Sequence, residues 1–299
     1  MYKQQIKMKS FFRFFISGFL LIIIVNHELF AQENKVENSL INKERMLPFG
    51  AAWAKEKGIE LPLPFGVSIY TIFMSRDIEV TSVSVGFMER EQINIDDFAS
   101  FGVRNQSSVT AIKFDAWVLP MLNFYFLGGY ANYSAHVNAK FAIEHDILPL
   151  PPSEFDFEME TRMKGPYAGI GSTLVGGYGN WFVLGDANYG KSWPDGFETP
   201  VDFLFISFRS GFSMKLDSKI GMKVWLGGAY LYSKTTIEKK VYTDFINEIM
   251  VYIKQEPLNP WTAHCGLMVN LGKHFDVMAE LGSNFNDASV SVFTASWRF

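Results

Sequence analysis

Histidines beside hydroxyls and acids are the first residues to weigh for chemistry. His136 stands two residues from Ser134, His145 adjoins Asp146, and His264 stands apart from both pairs. Hydrolysis through an activated hydroxyl needs a histidine linked to a nucleophile and to an orienting acid. No spacing in the chain supplies that link, so the residues point to a protein that is not an enzyme. A barrel hydrolase acting on lipid or peptide at the outer rim is the alternative. The single cysteine, Cys265, rules out an intrachain disulfide and a cysteine metal cluster, and alternation makes it an apolar filler facing lipid. Asp96, Asp97, Glu154, Asp156, Glu158 and Asp287 fall in outer loops. There they are either solvated or hold divalent cations between lipopolysaccharide molecules. The pairs Gly128-Gly129, Gly176-Gly177 and Gly227-Gly228 precede no helix, so they are not phosphate loops. No cofactor is expected.

The other ionisable residues with a pattern are Lys113, Asp115, Asp186, Arg209, Lys223, Asp276, Glu280 and Arg298. Each alternates with apolar neighbours. In "SVTAIKFDAWV" (108–118), Thr110, Ile112, Phe114, Ala116 and Val118 share one face, with Lys113 and Asp115 on the other. "FLFISFRSGFSMK" (203–215) sets Leu204, Ile206, Phe208, Phe212 and Met214 against Ser207, Arg209, Gly211, Ser213 and Lys215. "KIGMKVWLGGAYLY" (219–232) and "HFDVMAELG" (274–282) repeat the pattern, with Val224 on the apolar side and Asp276 and Glu280 on the polar side. A period of two repeated this often is a strand signal.

The strands run to about the length that crosses a bilayer at a tilt. Connections alternate between very short (119–121, 178–180, 216–218, 272–273) and long (roughly 87–105, 134–163, 191–200 and 234–258), with a shorter one at 285–288, as in outer-membrane barrels. Aromatic residues cluster at strand ends in the manner of an interfacial girdle: Trp117, Tyr130, Tyr167, Trp181, Tyr189, Tyr230, Tyr232 and Trp261. The apolar run "WVLPMLNFYFLGGY" (117–130) is too short for a membrane helix and holds Pro120. It reads as two strands around a turn at Leu119-Pro120-Met121.

The expected fold is therefore all-β: an antiparallel transmembrane barrel of about ten strands. They cover 64–86, 106–118, 121–133, 164–177, 180–190, 200–215, 218–233, 260–271, 274–284 and 289–299. Twelve is the alternative, because 64–86 is long enough for two crossings. "AHVNAKFAIE" and "MVYIKQ" are expected to be hairpins rising above the membrane. Lipid lies outside; Lys113, Asp115, Asp186, Arg209, Lys223, Asp276 and Glu280 face the lumen, so Phe208→Lys should block folding while Ser207→Lys is tolerated in a wet lumen.

Lys3, Lys7, Lys9 and Arg13, followed by an apolar stretch from Phe14 to Val25 and by Ala31, read as a secretory signal over 1–31. Residues 32–63 are expected to be a periplasmic segment with a short helix from Ala51 to Lys57, ended by Gly58, and the barrel fills 64–299. The formal charge of the chain is −4 and becomes more negative without the signal, which argues against nucleic acid as a partner. The expected place is the bacterial outer membrane, among lipid and lipopolysaccharide. The expected role is a porin-like, narrow passage for solutes, or a scaffold.

"FDAWVLPMLNFYFLGGYAN", "GGYGNWFVLGDANY" and "LPLPFGVSIY" resemble a group of Gram-negative outer-membrane β-barrel proteins. In that group an Asp-x-Trp-x-Leu-Pro-x-Leu-Asn turn precedes a Gly-Gly-Tyr-Gly-Asn-Trp-Phe turn. The resemblance spans most of 60–299 and implies the barrel fold; no activity comes with it. The last strand, "VSVFTASWRF", ends on Phe299 and resembles the signal read by the barrel assembly machinery.

Overall fold

A computed structural model describes residues 47–56, 61–87, 93–94, 99–142, 154–197, 199–241 and 249–299. Residues 1–31, read above as a signal, residues 32–46, Gly58, Asp96, Asp97, His145 and Asp146 lie outside them, as do the side chains of Glu154 and Asp156.

Among the described residues one short helix, α1 (Ala51–Glu56), precedes twelve strands: β1 (Phe65–Phe87), β2 (Ile93–Asn94), β3 (Ala99–Leu119), β4 (Leu122–Ala142), β5 (Glu154–Tyr178), β6 (Trp181–Ser192), β7 (Val201–Lys215), β8 (Ile220–Val241), β9 (Ile249–Pro257), β10 (Trp261–Leu271), β11 (Phe275–Ser283) and β12 (Ala288–Arg298). Ten of them form a closed antiparallel barrel in the order β1-β3-β4-β5-β6-β7-β8-β10-β11-β12, and β12 returns to β1 over Gly66–Arg76. Closure leaves no open edge in the membrane wall, where an unpaired backbone group would face hydrocarbon. The ten match the crossings legible in the sequence. The 64–86 segment is one continuous strand, so it adds no eleventh or twelfth crossing.

The short connections are tight. Pro120-Met121 forms the β3–β4 turn, and Gly179 (φ 60°) and Gly272 (φ 69°) take left-handed conformations in two others. That conformation costs glycine little because it has no Cβ. Helix α1 belongs to this end: Phe49 N–H donates to the Val118 carbonyl at 2.9 Å, and Ala54 is fully buried.

Alternation settles which face meets lipid. Ile112, Phe114, Ile206, Phe208 and Leu226 project outward, Leu226 at 71% exposure, while their neighbours Ala111, Asp115, Ser207 and Trp225 are buried. An outer surface this apolar fits hydrocarbon and not water. Trp181 and Trp261 open β6 and β10, Tyr189 lies near the end of β6, and Tyr130 and Tyr232 lie partway along β4 and β8; all five are exposed, as a girdle on the outer face requires. Trp117 and Tyr167 are not part of it. Trp117 packs beneath Arg298 and Tyr167 against Phe203, on the opposite face to Ile170 and Leu174. Strand parity turns both inward, which residue type alone does not reveal.

At the other end the wall splits into two tiers. Strands β10, β11 and β12 have 11, 9 and 11 residues, about one crossing each. β1 and β8 continue well beyond them. There β9 pairs with β8 (Thr235–Val241) and with β1 (Ile78–Phe87), one strand standing above three. The β4–β5 hairpin also rises, paired out to Ala142 and Glu154. Both extensions agree with the hairpins expected at 134–163 and 234–258. In this tier polarity inverts: Glu79, Arg104, His136 and Glu160 face out, while Val83 and Val103 are buried inside.

Candidate functional site: side-chain clusters inside the barrel

Three clusters join strands that are not neighbours. Adjacent strands lie about 4.8 Å apart, so β7 and β11, three steps apart, are separated by roughly 14 Å along the wall. Their side chains can meet only on the concave side. Arg209 of β7 donates from Nε to Glu280 Oε2 of β11 at 2.6 Å and from Nη2 to Oε1 at 3.1 Å. Trp225 Nε1–H donates to Oε2 at 2.7 Å, and His264 Nδ1 lies 3.0 Å from Oε1. Thr262 Oγ1 lies 2.8 Å from His264 Nε2. Glu280 is 2% exposed. Three N–H donors and a ring nitrogen around one enclosed carboxylate supply the partners that such a buried group needs.

Two glycines make room for this hub. A Cβ on Gly266 would run into the Trp225 ring, and one on Gly282 would come within 2.5 Å of the His264 ring. Gly266→Ala should therefore push Trp225 off Glu280 and lower stability by on the order of 1–3 kcal/mol. Gly185→Ala, where nothing lies within 4 Å, should leave stability unchanged. Urea unfolding read by tryptophan emission tests the pair, and equal midpoints would remove the packing role given to Gly266.

The second cluster centres on Asp115 of β3. Arg298 Nη2 of β12 reaches its Oδ2 at 2.6 Å, Asn123 Nδ2 at 2.7 Å, and Lys113 Nζ lies 4.0 Å from Oδ1. Arg298 Nε also donates to the Leu63 carbonyl at 3.2 Å, tying the segment before β1 to the barrel. Lys113 sits over the Tyr70 and Tyr125 rings. In the third cluster Asp186 accepts from Tyr125 Oη at 2.9 Å and from Thr173 Oγ1 at 2.6 Å.

Asp276 is bonded to Asn270. Lys223 shares Trp225's row and makes no ion pair among the described residues. The charged residues picked from alternation are thus mostly brought together, in pairs alternation could not assign. Trp225, Thr262, Asn123, Tyr125 and Tyr70 were missed as partners, because their role follows from register and not from type.

His136 faces outward opposite Glu160, whose Oε1 accepts from Ser134 Oγ at 3.3 Å and from Arg162 Nε at 2.9 Å. Arg162 holds the Glu160 carboxyl below the usual carboxylate range. Cys265 is exposed on the outer face. Asp287 is corrected: it is neither solvated nor free, being 4% exposed and bonded through Oδ1 to Asn284 at 2.7 Å. Among the described residues no group of His, Cys, Asp and Glu is arranged to hold a metal ion.

No family model and no curated protein matches the chain. Among solved structures it is similar to the outer membrane protein OprG of Pseudomonas aeruginosa, at 12% identity and TM-score 0.40, covering 80% of this chain and 99% of that one. It is similar to the transport unit of the autotransporter AIDA-I of Escherichia coli, at 8% identity and TM-score 0.35, covering 85% and 100%. A third is the COG4313 outer membrane channel of Pseudomonas putida F1, at 9% identity and TM-score 0.31, covering 80% and 97%. These likenesses say nothing about what binds or passes here. The closed wall, its apolar exterior and its single tight-turn end make this chain a β-barrel of the bacterial outer membrane.

Proposed function

We propose that this barrel is a non-enzymatic, narrow passage for small solutes. The observation that carries the reading is the pair of charge clusters drawn across the interior, Arg209 with Glu280 and Arg298 with Asp115. A wide porin lumen would leave such residues facing water. Here they close on one another. Insertion would run through the last strand and Phe299, read by the barrel assembly machinery, after removal of residues 1–31. The kinship implied by the turn motifs belongs to the same proposal.

Planar-bilayer recording of the purified protein tests it. Small, infrequent conductance steps are expected from the parent, with larger steps after Arg209→Ser or Arg298→Ser opens a cluster. Large, steady porin-type steps from the parent would overturn the narrow-passage reading, and silence in parent and variants would leave the scaffold role.

The alternative, a hydrolase, has one observation in its favour. Thr262, His264 and Glu280 are connected in the order of a nucleophile, a base and an orienting acid. However, Thr262 is buried at 6% exposure, and Glu280 is already engaged by Arg209 and Trp225. No turnover of short-chain esters is expected, and any turnover that His264→Ala abolishes would establish the alternative.

A further inference from the structure

Helix α1 is held at the short-turn end of the barrel by an irregularity in the wall. The β3–β4 register slips between Trp117 and Leu119, so Val118 has no partner in that ladder. A bulge of this kind leaves one residue unpaired. Here the Val118 carbonyl accepts from Phe49 N–H at 2.9 Å. Gly50, the next residue, lies against the β3–β4 turn: a Cβ there would sit 3.9 Å from Pro120 Cδ. Ala51 N–H donates to the Pro48 carbonyl and Ala54 N–H to that of Gly50, both at 3.1 Å, and these bonds start the helix.

The helix has two unlike sides. Pro48 and Ala54 are buried, Ala54 completely. Phe49 and Trp53 stand four residues apart, hence on one side, and are 54% and 53% exposed. Two large rings left open side by side would be costly in water. The wall beside them is apolar on its outside. Phe65 on β1 and Phe124 on β4 both face Ala116 of β3, two residues from Val118. Both are exposed, as are Trp297 and Phe299, and Phe299 lies against the rings of Phe65 and Trp297. The rings of α1 thus continue a lipid-facing rim. Short turns mark the periplasmic side of an outer-membrane barrel, so the lipid at this rim belongs to the inner leaflet.

We propose that α1 is an interfacial anchor, with Phe49 and Trp53 set into the phospholipid of the inner leaflet and Ala54 turned to the barrel. Tryptophan favours this boundary, where one part of its ring is wet and the rest is apolar. Six residues are too few to form a stable helix or to hold a membrane alone. The bond to Val118 holds one end of the segment, and the Leu63 carbonyl, bonded to Arg298, holds the other. Two rings are also far less than the roughly 800 Å² a side that a specific protein partner covers. The anchor is independent of whether solutes pass through the barrel.

The test is quenching of a nitrobenzoxadiazole label on the folded full-length protein in phosphatidylcholine vesicles. Cys265, the single cysteine, is changed to Ser, and Ala52→Cys puts the label on the exposed side of α1. Nitroxides on the acyl chains report contact with lipid, and dissolved iodide reports contact with water. Labels on Cys265 itself, exposed on the outer face, and on Ser218→Cys, exposed between β7 and β8, calibrate the two extremes. The label at position 52 is expected to be quenched by nitroxide lipid and shielded from iodide, as at Cys265. Phe49→Ser with Trp53→Ser removes two rings, each worth about tenfold or more in partition out of water, so the label should shift to the Ser218→Cys pattern. Heat-modifiable mobility verifies that this variant is folded. Quenching at position 52 by iodide and not by lipid places the helix face in water and overturns the proposal. So does shielding from both quenchers, which places it in the lumen or against another protein, and so does a label that stays in lipid after both rings are gone. The pattern with both rings present decides the matter even if the double variant fails to fold.

Discussion

Glu280→Ala should destabilise the barrel by about 3–5 kcal/mol, the cost of removing one partner from a buried ion pair. The loss is not confined to one bond. Arg209 would lose acceptors for Nε and Nη2, Trp225 would lose the partner of its indole N–H, and His264 the acid beside Nδ1. A guanidinium would then remain in an enclosed space with nothing to neutralise it. Arg209→Leu with Glu280→Leu should recover most of the loss, because an apolar pair leaves no charge behind. Urea-dependent folding into lipid vesicles, read by electrophoretic mobility, gives the midpoints. If Glu280→Ala matches the parent, the hub is not a stabilising element. If the double variant is as weak as the single one, the uncompensated charge is not the cause.

Phe208→Lys should cost about 2–4 kcal/mol, the penalty for a charge on the lipid face near the bilayer midplane. Phe208 projects outward at 57% exposure, and its partner across the β7–β8 ladder is Gly228, which offers the ammonium nothing. Phe208→Leu, equally apolar, should fold nearly as the parent does. The adjacent position behaves differently from the expectation raised by alternation alone. Ser207 is 4% exposed, and its hydroxyl has no partner. A lysine there would enter an enclosed space two residues from Arg209, so Ser207→Lys should also impair folding. Ser207→Ala should be neutral or slightly stabilising, since it removes an unpartnered buried hydroxyl. The same mobility assay separates these outcomes. A Phe208→Lys protein that folds like the parent would reverse the inside and the outside of β7.

Alternation carries far in this chain because every crossing strand separates two unlike media. That is why Ile112, Phe208, Val224 and Trp297 could be placed outside, and Asp115, Arg209 and Glu280 inside, from type and parity. Parity fails as a guide where residue type is ambiguous. Trp117 and Tyr167 suit a membrane interface as well as a crowded interior, and only their register decides. Pairings fail for another reason. His264 and Glu280 are 16 residues apart and meet across one hairpin, while Arg209 and Glu280 are 71 apart and meet across a curve that exists only once the barrel closes. Asp287 shows the same limit: among turn residues in the sequence it reads as solvated, yet β1 and β12 enclose it. Nor does anything in "IMVYIKQEP" announce that β9 spans from β8 to β1.

The seam between the first strand and the last has a consequence in time. Gly66 is paired with Arg298 and Phe65 with Phe299, so the whole of the barrel sequence lies between partners that must meet. Such distant pairings form late, since a long loop has to be closed before they return any energy. Until then β1 is an exposed template, and two successive suitors arrive for different stretches of it: β9 for the half beyond Asp77, β12 for the half before it. The chain cannot finish its wall while it is still being delivered. It has to be kept as an unfinished, sticky sheet until its last residues arrive, with Asp77, bonded to Leu258 on one side and Asp287 on the other, marking where the two stretches of the fastener join.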